Sequence, residues 1–215
     1  MEKADGVIYY CKLQDKILMN EKMLAKKLLK QGFWDFFHVD FQEEKVMRSA
    51  DGKPYYGENK HLHFNISHCA GGAAVALSCY PVGVDAETMR KVNERTVRKC
   101  CGEEELSYVF AGTGTERNKN SILTEEETRR FLELWTLKES CVKMTGEGLR
   151  KPLDQVCFDP PDAAKTKENR VVRIEGKDRL GRHYLYQLGN LILAFSVQWE
   201  DKSAEPDFVW KEISC

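Results

Sequence analysis

No Cys-x-x-Cys pair occurs among the 8 cysteines of this chain. Cysteine-built zinc sites need that kind of spacing, so a zinc ribbon or finger is excluded. Cys100 and Cys101 are adjacent, while Cys11, Cys69, Cys79, Cys141, Cys157 and Cys215 are scattered, several of them in apolar runs. They read as free thiols that pack as small hydrophobes in a reducing compartment, the cytoplasm. No apolar run is long enough to span a bilayer, and the opening Met1-Glu2-Lys3-Ala4-Asp5 lacks the apolar stretch of a signal peptide. Excess charge of either sign is missing too. A formal net charge of −1 gives no bulk attraction for nucleic acid. The expected partners therefore include neither nucleic acid nor membrane.

What is present is an ordinary globular composition. Of 215 residues, 42% are hydrophobic and 31% charged, enough for one large domain or two small ones with a real core. Residues 6–11 read as a strand. Residues 20–31 read as a helix capped by Asn20, with Met23, Leu24, Leu28 and Leu29 on one face and Gly32 ending it. Asp51-Gly52-Lys53-Pro54 is a turn, 64–67 a short strand, Gly71-Gly72 a turn and 73–79 a small-residue strand. Pro81 breaks the chain before a strand at 83–87.

Residues 92–110 look helical with an interruption near Gly102, and 111–121 is a polar, glycine-containing connection. Thr124 and Glu127 form a capping box that opens a helix running to about Met144, closed by Gly146 and Gly148. Strands follow at 156–158, 170–175, 183–188 and 191–199. Repetition of helix plus strands implies an α+β fold with two pseudo-symmetric halves, 1–79 and 80–215.

Acidic residues carry the chemistry. Asp85 and Glu87 are two apart on an extended run, so they share one side of the strand, while Val84 and Ala86 suit the core. At 100° per residue, Glu139 falls between Trp135 and Leu132, within an apolar sector that also holds Phe131 and Val142 and has Lys143 at its edge. A carboxylate in such a sector needs a cation or strong donors. Three carboxylates with a lysine beside them suit one hard divalent cation and a polyphosphate ligand. Each segment alone also suits a solvated surface: an i,i+4 Glu139–Lys143 pair is worth a few tenths of a kcal/mol, on the order of any exposed pair. Ser67 and His68 end a strand before two glycines, where a hydroxyl and an imidazolium can meet a phosphate. Lys53 stands in a turn, where its ammonium can reach an anion.

Taken in order, Gly-Lys-Pro (52–54), Phe-Asn-Ile-Ser-His (64–68), Gly-Val-Asp-Ala-Glu (83–87), Trp-Thr-Leu-Lys-Glu-Ser-Cys-Val-Lys (135–143) and Gly-Glu-Gly-Leu (146–149) resemble the 4′-phosphopantetheinyl transferases of the surfactin-synthetase-activating type. The resemblance implies two similar α+β halves in one chain, acting as a monomer, with coenzyme A in the cleft between them. It implies Mg²⁺ held by Asp85, Glu87 and Glu139 with the coenzyme's pyrophosphate; Mn²⁺ also suits such oxygen ligands. Ser67 and His68 match positions at the 3′-phosphate, Lys53 one near the adenine–ribose end, and Lys143 one at the pyrophosphate. Glu139, directly or through water, matches the base for the acceptor serine, which belongs to an apo acyl or peptidyl carrier protein. Lys16, Lys22, Lys26 and Lys27 are candidates for further phosphate contacts. Cys69 stands where the family often has serine, and 111–121 lies where such enzymes often meet the carrier. Two other readings of the same residues are a catalytically inactive module that binds coenzyme A or the carrier, and a metal-dependent nuclease.

Overall fold

Apolar alternation sorts the strand residues of this chain into three separate cores. The structure, a computed structural model, describes residues 4–13, 20–57, 59, 61–111, 121–148, 151–161, 169–177, 181–201 and 203–214. The first sheet has the order β10-β1-β5-β4, built from β1 (Gly6–Lys12), β4 (His63–Cys69), β5 (Gly72–Ser78) and β10 (Phe208–Glu212). The second has the order β6-β9-β8-β7, from β6 (Val82–Thr88), β7 (Val171–Ile174), β8 (Arg182–Leu188) and β9 (Leu191–Val197). Ile8, Tyr10, Ala74 and Ala76 of the first sheet pack against Val82, Val84, Ala86, Leu193 and Phe195 of the second. The small alanines allow the two sheets to approach closely.

The outer faces are each covered by one helix. Val7, Tyr9, Val75 and Leu77 meet Leu24, Leu28 and Leu29 of α1 (Glu21–Gly32). Leu185, Ile192 and Ala194 meet Leu134, Leu137 and Cys141 of α4 (Glu125–Thr145). The protein is thus α+β, with a helix, two sheets and a helix in layers. A hairpin of β2 (Val46–Arg48) and β3 (Pro54–Tyr56) and two short helices, α2 (Glu94–Cys100) and α3 (Glu103–Val109), complete it.

Local signals explain most element ends. Asn20 accepts from the Met23 N–H at 2.8 Å and starts α1. Thr124 and Glu127 form the expected box at the start of α4, and Gly146 closes it at φ 82°. Gly102 separates α2 from α3 as expected. Other expectations need correction. Gly32 does not end the first helix: its φ is −64°, and the chain continues through a π-helical turn (Phe33–Phe37) to His38 at φ 57°. A Cβ at Gly32 would crowd the end of the Leu77 side chain, which would have to shift, and burial of Phe33 and Phe36 pulls the extra turn onto the core. No strand forms at 156–158; a 3₁₀ turn (Leu153–Gln155) leads into a single bridge between Phe158 and Gly176. β10 went unanticipated, and it returns to pair in parallel with β1. Cys11 is disulfide-bonded, against the all-thiol expectation, while Cys69, Cys79, Cys100, Cys101 and Cys157 are free thiols. Among the described residues no helix is long and apolar enough to cross a membrane.

Gly83 sets the distance between β6 and α4. A Cβ there would run into the Ser140 carbonyl and the Met144 backbone nitrogen, atoms that cannot swing aside. Gly83→Ala is expected to destabilise the fold by about 1–3 kcal/mol or more, the overpacking range. Thermal unfolding measures it; an unchanged melting temperature would contradict this packing.

Candidate functional site

The second sheet ends at β6, whose other neighbour is β9. Among the described residues β6 therefore has an edge that no strand pairs, and β4, itself an edge strand, lies alongside without pairing to it. Asn65 and Ser67 are two apart on β4 and project toward that edge. Asn65 Oδ1 accepts the Val84 N–H at 2.9 Å, and Ser67 Oγ accepts the Ala86 N–H at 3.1 Å. Between these two amides sits Asp85, only 5% exposed. The reading of this strand as a solvated surface fails for Asp85, because α4 covers its side of β6.

Ser67 Oγ donates to Asp85 Oδ1 at 2.9 Å, and Lys143 Nζ donates to the same oxygen at 2.6 Å. Lys143 also reaches Ser67 Oγ at 3.2 Å and the Val84 carbonyl at 3.3 Å. Asp85 Oδ2 is buried with no hydrogen-bond partner among the described residues. Desolvation by burial pushes the Asp85 carboxyl above its ordinary range; Lys143 pulls it back, and Glu87 adds to the rise.

α4 is buried on most sides, and Trp135, Glu139 and Lys143 form its half-buried stripe at i, i+4, i+8. Glu139 thus lies at the open margin of the helix rather than within a closed apolar sector. Burial raises its carboxyl first, and the charge of Asp85 raises it further, opposed by Lys143. Glu87 also contributes to that rise and is paired with Arg90 Nε at 3.2 Å. The three acids therefore feel one another electrostatically. Among the described residues, however, no group of three acidic, histidine or cysteine side chains is close enough to enclose a metal on its own.

Hard oxygen donors, one of them an orphaned buried oxygen, fit a divalent cation whose coordination is completed by ligand or water. The other candidates divide. His68 is exposed at the strand end, whereas Ser67 is buried and committed to Asp85. Lys53 points inward: its Nζ donates to the Val82 carbonyl at 3.1 Å and to the Met144 carbonyl at 2.6 Å. A cavity of about 310 Å³ opens beside it, lined by Tyr55, His63, Phe64, Pro81 and Thr145 among others. Lys22, Lys26 and Lys27 lie on the exposed face of α1, which packs on β1, β4 and β5. Lys16, residues 112–120 and Leu149 lie outside the described residues.

Burial lowers the Lys53 ammonium to about 8 from 10.5. Between these values the unfolded chain holds a proton that the folded chain has released, so stability rises with pH across this window. Relative to Lys53→Met, the parent chain is expected to gain stability from about pH 8 to about pH 10.5. Denaturant titrations at those two pH values measure it; parallel curves would contradict a desolvated ammonium.

Two side chains that matter here carried no label in the sequence. Asn65 is one; its only signal was the i,i+2 relation to Ser67. Lys138 is the other. It precedes Glu139 in the motif, yet it is fully buried on another side of α4, paired with Glu105 Oε2 at 2.7 Å and donating to the Leu153 and Val156 carbonyls.

Comparison with known proteins adds a family. The profile described as the 4′-phosphopantetheinyl transferase superfamily matches residues 81–196. The chain is 30% identical to 4′-phosphopantetheinyl transferase 1 of Fusarium mangiferae, over 82% of this chain and 67% of that protein. It is 26% identical to the 4′-phosphopantetheinyl transferase gsp of Aneurinibacillus migulanus over 74% of this chain, and 29% identical to Sfp of Bacillus subtilis (strain 168) over 59%. These matches span 60% and 57% of the two bacterial proteins, less than two thirds of either.

Proposed function

Since the chain belongs to the 4′-phosphopantetheinyl transferase superfamily, we propose that it moves the phosphopantetheine arm of coenzyme A to a serine of an apo acyl or peptidyl carrier protein. The observation that carries this reading is the pairing of an orphaned, buried Asp85 oxygen with a lysine on its partner oxygen, in the strand and helix that hold the matching motifs. Asp85, Glu87 and Glu139 are the residues to hold Mg²⁺. Bound there, the ion supplies Lewis-acid stabilisation of charge on the phosphate oxygens.

The chain's own groups do the rest. Lys143, fixed against Asp85, presents a positive charge to the pyrophosphate without having to reorganise. His68, exposed at the end of β4, meets the 3′-phosphate, and the cavity beside Lys53 receives the adenine–ribose end. Glu139, raised by burial, takes the proton of the carrier serine directly or through one water. The serine oxygen forms a bond to the β-phosphorus, the phosphorus–oxygen bond to the nucleotide breaks, and 3′,5′-ADP leaves. The halves 1–79 and 80–215 form the cleft, pseudo-symmetric in the way helix-on-sheet layers repeat, with β10 crossing back to the first sheet. The protein works as a monomer in the cytoplasm.

Chromatographic detection of 3′,5′-ADP tests the reading. Release is expected with coenzyme A, Mg²⁺ and an apo carrier, and is expected to vanish when the carrier serine is replaced by alanine. Coenzyme A binding without release would favour an inactive binding module, and nicking of supercoiled plasmid without release would favour a nuclease.

A further inference from the structure

Among the described residues no strand pairs with the outer edge of β6, yet four successive edge groups from Val82 to Ala86 are met. In chain order, the Val82 carbonyl accepts from Lys53 Nζ, the Val84 N–H donates to Asn65 Oδ1, the Val84 carbonyl accepts from Lys143 Nζ, and the Ala86 N–H donates to Ser67 Oγ. Donor and acceptor alternate as they would along a neighbouring strand, but every partner is a side chain. Three of the four, Lys53, Ser67 and Lys143, are residues read above as contacts to the coenzyme.

We propose that Asn65, Ser67 and Lys53 are positioning residues, a side-chain substitute for a missing strand that fixes Asp85 in the cleft, and that Ser67 does not bind the 3′-phosphate. Rigid framing explains why one Asp85 oxygen faces Ser67 and Lys143 while the other, though buried, has no hydrogen-bond partner among the described residues. It also accounts for Ser67 geometrically. Its oxygen donates its one proton to Asp85 and accepts from Ala86 and Lys143, so nothing remains to donate to a phosphate. Asn65 and Ser67 are buried, whereas His68, the next residue, is exposed. Adjacent strand residues point to opposite faces, so Ser67 serves the acid and His68 the ligand.

This inference rests on the transferase reading for its kinetic arm and has a second arm free of it. Asn65→Ala, Ser67→Ala and His68→Ala are compared with the parent chain. The readouts are calorimetric binding of coenzyme A and of 3′-dephospho-coenzyme A, turnover with apo carrier, and amide hydrogen exchange by NMR. Loss of Asn65 or Ser67 is expected to lower kcat by about 10- to 100-fold, the scale seen when a group orienting a ligand-binding residue is removed. Affinity for coenzyme A, and its preference over the dephospho form, should stay at the parent values. His68→Ala should erase that preference. Val84 exchange should quicken in Asn65→Ala, and Ala86 exchange in Ser67→Ala. If Asn65→Ala does not fold, Asn65→Asp retains an acceptor oxygen and is expected to keep Val84 protected.

A fall in the coenzyme preference of Ser67→Ala would make it a phosphate ligand and overturn the assignment. Unchanged kcat in folded Asn65→Ala, or unchanged exchange at Val84 and Ala86, would overturn it as well. A parent chain that binds coenzyme A without turnover contradicts the transferase reading alone, because the exchange data still decide the edge.

Discussion

Asp85→Asn is expected to lower phosphopantetheine transfer by about a hundred- to a thousand-fold, the scale set by removing preorganised electrostatic stabilisation, without lowering the melting temperature. The two halves of this result have separate causes. Asp85 is buried, and its Oδ2 has no hydrogen-bond partner among the described residues, so the fold gains nothing from that oxygen. Asparagine keeps an acceptor for Ser67 and Lys143 and removes only the charge. Lys143, with a side chain 27% exposed, can turn to water. Steady-state kinetics and thermal unfolding of the same preparation check both. A marked drop in melting temperature with retained transfer would make Asp85 a structural residue. Glu139→Ala, on the half-buried stripe of α4, should follow the Asp85 pattern.

Lys138→Met is expected to do the reverse. The ammonium of Lys138 is fully buried, and Glu105, its partner, is 2% exposed. Removing one member of such a pair strands a charge in the interior and costs about 3–5 kcal/mol. The Leu153 and Val156 carbonyls lose their donor at the same time. In a chain of this size that corresponds to a fall in melting temperature of roughly 6–20 °C. Below both transitions the folded variant should keep its kcat, since Lys138 is directed into the packing of α4 against α3 and the following turn. Lys143→Met makes the functional contrast, with turnover lost; it also leaves the buried Asp85 without its cation, so some loss of stability accompanies it. If Lys138→Met abolished turnover without loss of stability, its assignment to the interior would be wrong.

The contrast between Lys138 and Lys143 shows how far the sequence could be read. Both lysines stand in one motif, five residues apart, and helical periodicity places them at different angles without saying what covers each. Coverage comes from β6 and β4 on one side and from α3 with residues 153–156 on the other, which are long-range choices. Periodicity and caps gave the start of α1, both ends of α4 and the break at Gly102, because those are local hydrogen-bond problems. Gly32 misled because a glycine after an amphipathic run normally caps it, whereas here it permits contact with Leu77. β10 was invisible because its exposed-looking residues gain order only by pairing with β1. Asp85 was placed on the correct strand but the wrong environment, since alternation cannot reveal that α4 covers that side. Ser67 and Lys53 were read as ligand contacts from their motifs, and only the unpaired edge of β6 gives them another task.

The most direct test is the intact mass of apo acyl and peptidyl carrier proteins after incubation with this chain, coenzyme A and Mg²⁺. A gain of one phosphopantetheine arm on at least one carrier, absent with Asp85→Asn and absent when the carrier serine is alanine, is the predicted result. A parent chain that binds coenzyme A yet leaves the mass of every carrier unchanged would contradict it.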